Sequence, residues 1–175
     1  MAEAAQSSRV TVPCVAHDDI GFPSGSQDEK EVLLQWLDYL RRAVLRNLDG
    51  LDDTQARWTP NGRLIPLLGV VRHLTCVEWR WIDGGFSGVE VSRSEEEFRP
   101  EPHVTVDVAV RAHRERANAT DAMIRSLPLT QPSEPDSWAE GKDLRWVVLH
   151  LINETARHAG HADAARELLD GKTGE

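Results

Sequence analysis

Apolar residues recur at steps of three and four positions in four separate stretches of this chain, a spacing typical of amphipathic helices. The stretches run from about 28 to 49, 65 to 82, 105 to 127 and 144 to 169. Glycine and proline residues mark their ends and the connections between them, and Gly84 and Gly85 are predicted to end the second helix. No pair of segments alternates convincingly as paired strands do, so the sequence predicts an all-α fold, a four-helix bundle.

The length of 175 residues is usual for one domain with its own core. Residues 1–27 lack sustained periodicity and are expected to form an extended or partly mobile N-terminal segment, and residues 28–175 a single helical domain. Thr105 is the predicted N-cap of the third helix. The inner face of that helix is predicted to comprise Val108, Ala112, Ala119, Met123 and Leu127. The segment from about 84 to 102 contains the acidic run 95–97 and is interpreted as a solvated loop covering one end of the bundle.

The formal net charge of -9 comes from acidic residues spread along the chain, which disfavours binding to nucleic acid. No apolar run approaches the roughly 20 residues that cross a bilayer, and the N-terminus lacks the pattern of a secretory signal. Only two cysteines occur, Cys14 and Cys76, so no disulfide framework is indicated. We therefore expect a cytoplasmic protein with reduced thiols.

Two ionisable residues interrupt the apolar face of the fourth stretch. That face comprises Val147, Leu151, Glu154, His158, Ala162, Ala165 and Leu169. An ionised carboxylate costs several kcal/mol to bury unless it is paired with or bound to a cation, so Glu154 requires a partner. His158 lies one helical turn away, where both side chains can reach one ion.

The second stretch contributes a third candidate, because His73 shares a face with Val70, Val77 and Trp81. Two imidazoles and one carboxylate suit Zn, Fe, Ni or Mn better than Ca or Mg. Three protein ligands also leave a coordination position open, as catalytic metal sites do. The alternative is that these histidines are hydrogen-bonded core residues without a metal.

Several nearby residues keep more than one interpretation. His161 is a candidate catalytic residue as proton acceptor, substrate contact or fourth ligand, or else a surface histidine. His150 is an alternative ligand one turn before Glu154. Cys76 either offers a thiolate or is an inert, partly buried thiol. Arg72 and Arg157 are interpreted as surface or interface residues, with binding of a substrate carboxylate as the alternative.

Three segments carry a family resemblance. They read GRLIPLLGVVRHL at 62–74, LRWVVLH at 144–150 and ETARHAGHAD at 154–163. Over about residues 28–171 the chain resembles the DinB-like superfamily, in particular its actinobacterial mini-circle branch. The resemblance implies a four-helix bundle, often dimeric, that holds a divalent metal through His73, Glu154 and His158. The pattern of two His and one Glu is similar to that of mycothiol-dependent maleylpyruvate isomerases.

The resemblance also implies a chemistry. Characterised relatives use low-molecular-weight thiols, mycothiol or bacillithiol, so we expect a metal-dependent thiol S-transferase or thiol-dependent isomerase that joins or rearranges a small electrophile. The implied metal is zinc first, with nickel, iron or manganese as alternatives, and the implied assembly is a homodimer. Two other functions stay open, a metal-dependent hydrolase that activates water and a non-catalytic, stress-related metal-binding protein.

Overall fold

The computed structural model describes residues 21–174, and the first twenty residues, including Cys14, lie outside the described part. Four long helices and one short helix are present, and within residues 21–174 no strand is formed. The helices are α1 Glu29–Arg46, α2 Asp53–Ala56, α3 Leu67–Phe86, α4 Val106–Ser126 and α5 Leu144–Asp170. The prediction of an all-α four-helix bundle is confirmed. None of the described helices is long and apolar enough to cross a membrane.

Side-chain caps fix the starts of three of the four long helices. The Asp28 carboxylate accepts from the Lys30 backbone N–H, and the Asp143 carboxylate accepts from that of Trp146. Thr105 caps α4 as predicted, its hydroxyl accepting from the Val108 N–H. The boundary proposed at residue 28 therefore coincides with the start of α1, although the division into segment and domain stays a prediction.

The end of α3 differs from the prediction. Gly84 and Gly85 lie inside the helix, which continues to Phe86. A Cβ atom on Gly84 would come within 2.6 Å of the Val91 side chain, and one on Gly85 within 2.8 Å of Ala139. These glycines therefore let the two connecting segments pack closely on α3, and they do not end it.

The polar contacts between helices show the relative directions in which the helices run. Glu29 pairs with Arg145 and Asn47 with Asp163, so α1 and α5 run in parallel. Arg41 pairs with Asp121 and Glu31 with Arg125, so α1 and α4 are antiparallel. It follows that α4 is also antiparallel to α5.

The ring contacts between α3 and α5 complete the topology. His73 lies against His158 and Trp81 against His150, so these two helices are antiparallel. Because α3 and α4 then run in the same direction, the chain between them must return along the length of the bundle. We call this segment, residues 87–105, the crossover.

The crossover corrects the interpretation of the acidic run as a solvated loop. It forms a short 3-10 helix, Glu95–Phe98, that packs on α3, and the Glu97 side chain is only 4% exposed. Buried Arg80 on α3 supplies the countercharge, its Nη1 donating to Glu97 Oε2 at 2.7 Å. Glu95 and Glu96 stay exposed, so two of the three residues fit the prediction.

Gly69 is predicted to be essential for seating the crossover. A Cβ atom there would lie 2.2 Å from the Phe98 carbonyl oxygen, whereas one on Gly160 of α5 meets nothing within 4 Å. Gly69→Ala should therefore cost about 1–3 kcal/mol of unfolding free energy through overpacking. Gly160→Ala should raise the free energy of unfolding by as much as about 1 kcal/mol, because alanine has the higher helix propensity. Urea unfolding of both variants checks this, and equal effects would contradict the close contact.

A layer of buried polar side chains crosses the middle of the bundle. It separates two apolar clusters, one containing Val44 and Val70 and the other containing Leu37 and Ile82. Its members are Arg41, His73, Glu78, His113, Thr120, Thr155 and His158. Buried polar groups need partners, so this layer is where ion pairs or bound ions are expected.

The buried face of α4 also differs from the predicted one. Val108 and Ala119 are exposed, and the buried residues are Ala109, His113, Thr120 and Ile124. The apolar pattern was misleading because two polar residues occupy the inward positions while alanines occur on both faces. His113 is held there by a contact of 3.1 Å between its Nδ1 and the Thr75 hydroxyl oxygen.

His113 is expected to make the stability of the protein depend on pH. Burial lowers the pKa of His113 from 6.5 to about 4. Between these values the unfolded chain binds the proton that the folded one excludes, so stability falls as the pH drops from 6.5 towards 4. The loss is about 3 kcal/mol. Urea unfolding of metal-free protein should show a flatter profile for His113→Phe, and parallel profiles would contradict the assignment.

Candidate metal centre

The antiparallel packing of α3 and α5 brings together the three predicted ligands. His73 comes from α3, and Glu154 and His158 lie four residues apart on α5. Both histidines are buried and the Glu154 side chain is 13% exposed. One ligand atom from each of the three residues lies within 4.8 Å of the others. This group fits a divalent metal ion, and its donors are the set that the sequence indicated.

Both imidazoles present the same nitrogen to the carboxylate. His73 Nε2 and His158 Nε2 each lie 3.3 Å from Glu154 Oε1. The two rings are 4.7 Å apart, centroid to centroid, and inclined by 59°. The Nδ1 atoms of both rings are buried and have no hydrogen-bond partner within the described residues. The potential ligand atoms therefore converge, and the opposite edge of each ring faces the protein interior.

His73 lies between two carboxylates. Its Nε2 faces Glu154, and its Nδ1 is 3.6 Å from Glu97 Oε1. A neutral imidazole carries one proton, so whichever nitrogen lacks it directs a lone pair at an anion. A cation shared by Nε2 and Glu154 removes this conflict, because the proton can then remain on Nδ1 and face Glu97.

The electrostatics of the three residues keep their ligand atoms available. Burial lowers the pKa of His73, and burial together with the charge of His73 lowers that of His158 to about 4. Burial alone would raise the pKa of Glu154, but the hydrogen bond with His73 and the charge of Arg157 lower it overall. At neutral pH the centre thus holds two neutral imidazoles and one carboxylate, which is the state that binds metal.

The surroundings hold the candidate ligands in place. The Phe98 ring stacks on the His73 ring with centroids 4.5 Å apart. Arg157, with an exposed side chain, reaches back along α5 and places Nη2 3.2 Å from Glu154 Oε2 and 3.4 Å from Oε1. It is a surface residue as predicted, yet it also contacts both oxygens of the Glu154 carboxylate.

The structure places the other candidates outside the group of three. His161 is exposed, with its ring edge-on to that of His158 at 5.3 Å. His150 is half-buried between two tryptophans, with its ring centroid 4.4 Å from that of Trp81 and 5.5 Å from that of Trp146. His150 therefore belongs to an aromatic cluster, and His161 lies at the edge of the centre.

Cys76 fits the interpretation as an inert thiol. The side chain is half-buried, and burial and the nearby Glu97 carboxylate raise the pKa of its thiol. Because the thiolate is the reactive form, a raised pKa makes Cys76 a poor nucleophile at neutral pH. The exposed Arg72 lies on the outer face of α3.

Sequence reasoning missed Glu97 and Arg80. No periodicity marks Glu97, because it stands in an irregular segment among other acidic residues. The available signal was Arg80, seven residues after His73 and so on the same face of α3. An inward arginine requires a buried acid, and the acidic run of the next segment is one source of it in the sequence.

The comparison with known protein families now decides the relationship of the chain. A family model described as mycothiol-S-transferase matches residues 32–171, which include most of α1, all of the other three long helices and all three candidate ligands. The chain belongs to the mycothiol-S-transferase family. This agrees with the resemblance to DinB-like proteins that the sequence segments carry. No curated protein matches the chain.

Proposed function

We propose that this member of the mycothiol-S-transferase family is a metal-dependent thiol S-transferase or thiol-dependent isomerase that uses a low-molecular-weight thiol such as mycothiol. The observation that carries the proposal is the convergence of His73 Nε2, Glu154 Oε1 and His158 Nε2 on one point of the polar layer. Family membership supports the thiol as the substrate.

His73, Glu154 and His158 are the proposed ligands of the metal. Two nitrogen donors and one oxygen donor suit zinc, with nickel, iron or manganese as alternatives. Three protein ligands are one fewer than closed structural zinc sites have, so the set leaves room for a substrate atom. When bound, the ion acts as a Lewis acid that lowers the pKa of a thiol reaching it.

The overall transfer exchanges one bond for another. The S–H bond of the thiol breaks, leaving its electron pair on sulfur, and a sulfur–carbon bond forms to a small electrophile. The bond from that carbon to the leaving group breaks at the same time, and the leaving group departs with its electron pair. For an isomerisation, the sulfur–carbon bond forms by addition and breaks again after the rearrangement, so the thiol is regenerated.

His161 is the proposed acceptor of the thiol proton. It is exposed at the edge of the centre, one turn beyond His158, and its ring touches that of His158. A histidine at this place can accept a proton and pass it on to the leaving group or to solvent. The protein is further proposed to be cytoplasmic and, as the family resemblance implies, to act as a homodimer.

Calorimetry with mycothiol on metal-loaded protein tests the proposal. Titrations in two buffers of different ionisation enthalpy should show 1:1 binding with release of up to about one proton, less the share that His161 keeps, since the thiol binds as thiolate. S-methyl mycothiol should bind at least about tenfold more weakly and release no proton, as it cannot supply a thiolate. Mycothiol should likewise bind to metal-free protein at least about tenfold more weakly and without release of a proton.

Each contrary outcome has a definite meaning. Metal binding without any mycothiol binding would overturn the thiol-dependent activity and leave a hydrolase or a non-catalytic metal-binding protein. Equal affinity for mycothiol and its S-methyl derivative would show that the sulfur does not reach the metal, and the proposed chemistry would be wrong.

A further inference from the structure

We propose that Glu97 is a positioning residue for the metal centre, accepting a hydrogen bond from the Nδ1–H of His73 and thereby fixing the nitrogen that binds the ion. The inference rests on the proposed metal site. It gives Glu97, a residue of the crossover, a role. That role follows neither from the family match nor from the convergence of the three ligands.

The geometry supports this role from three sides. Glu97 Oε1 lies 3.6 Å from His73 Nδ1, and this nitrogen has no hydrogen-bond partner within the described part of the chain. Shortening the separation by roughly half an ångström gives an ordinary N–H···O hydrogen bond. Because His73 Nε2 points to Glu154, the edge of the ring that faces Glu97 is the one left over when Nε2 binds the ion.

Glu97 is itself held in place. Arg80 donates from Nη1 to Oε2 at 2.7 Å and from Nη2 to Oε1 at 3.3 Å, and both side chains are 4% exposed. Arg93 Nε lies 3.6 Å from the same Oε1. The carboxylate is therefore fixed and charge-balanced before any metal is bound, and one of its oxygens remains directed at His73.

The crossover backbone sets the position of this carboxylate. The neighbouring Phe98 stacks on His73, and its carbonyl oxygen approaches α3 so closely that only glycine fits at position 69. Contacts through Phe98, Arg80 and Gly69 thus determine where Glu97 lies along the helix. A carboxylate behind a ligating histidine fixes its tautomer and raises its basicity as a ligand.

The acidic run supplies a matched pair of variants for the test. Glu97→Gln removes the charge and keeps the size, and Glu96→Gln makes the same change on the exposed neighbour. In competition titrations of zinc against a chelator, Glu97→Gln should bind about 10–100-fold more weakly than the wild type. Glu96→Gln should bind as the wild type does, and thermal unfolding should show that both variants are folded.

A double variant separates positioning from charge balance. If Glu97→Gln weakens binding only because it leaves Arg80 as an uncompensated cation near the ion, then Arg80→Met/Glu97→Gln restores the wild-type affinity. That result would overturn the proposal. The proposal expects the double variant to remain about 10–100-fold weaker, because His73 still lacks its carboxylate acceptor.

Imidazole NMR of the wild-type protein adds a readout that needs no Glu97 variant. In zinc-loaded protein, the His73 ring should carry a slowly exchanging proton on Nδ1, assigned by its loss in His73→Gln. Finding the proton on Nε2 instead would overturn the proposal.

The metal centre and the role of Glu97 are overturned by different results. Wild-type protein that binds no zinc would overturn the metal centre and this inference with it. Tight zinc binding by the wild type together with equal affinities for Glu97→Gln and Glu96→Gln would overturn the role of Glu97 alone.

Discussion

The His158→Ala variant is expected to lose stoichiometric metal binding, while His161→Ala retains it. Wild-type protein should carry about one divalent ion per chain, and removing one of only three ligands should weaken binding by more than about 100-fold, beyond what the loss of an outer-sphere partner causes. The two histidines lie three residues apart on α5, but only His158 has a nitrogen near Glu154.

Elemental analysis and chelator competition on the two purified variants give the comparison. Circular dichroism should be the same for both, since neither substitution removes helix-forming residues from the core. Equal metal content in His158→Ala and the wild type would show that the ligands have been assigned wrongly. Loss of metal in His161→Ala would instead make His161 a fourth ligand.

Arg41→Met is expected to be the most destabilising single substitution in the polar layer. Arg41 binds Glu78 through two parallel hydrogen bonds of 2.7 and 2.8 Å, and the two side chains are 4% and 2% exposed. Its removal leaves Glu78 as a buried, uncompensated carboxylate. The cost should be about 3–5 kcal/mol of unfolding free energy, which lowers the melting temperature by roughly 10 °C in a chain of this size.

The double variant Arg41→Met/Glu78→Leu distinguishes an ion pair from general packing. Replacing both partners with apolar residues of similar volume leaves no buried charge, so much of the lost stability should return. Asp121, the second partner of Arg41, is partly exposed and has Arg125 nearby. Urea unfolding measures all three proteins, and a double variant less stable than Arg41→Met would contradict this account of the layer.

The features of the fold and the site that the sequence predicted correctly depend on local periodicity. The inward face of α5, with Glu154 and His158 among apolar residues, followed from steps of three and four, and so did the face of α3 that carries His73. The charge argument then required a common partner for a carboxylate in an apolar seam. These steps bring the three residues onto two helices, and only the antiparallel packing of α3 and α5 brings them together.

The parts that sequence reasoning missed depend on contacts between distant segments. Gly84 and Gly85 resemble a helix end, but they are where Val91 and Ala139 pack against α3. In the sequence, Glu97 resembles its exposed neighbours. Its burial follows from the parallel course of α3 and α4, which makes the crossover run along the bundle. Inward polar residues such as His113 break the apolar pattern that identifies a buried face. The predicted inner face of the third long helix, α4, therefore lies one residue before the face that is buried.

Anomalous diffraction from crystals of zinc-loaded protein tests the central claim most directly. The account predicts one strong peak in the polar layer, about 2.0–2.2 Å from Nε2 of His73, Nε2 of His158 and a carboxylate oxygen of Glu154. A peak bound by other residues would contradict the account, as would the absence of any peak at these three side chains in protein shown to contain one zinc ion per chain.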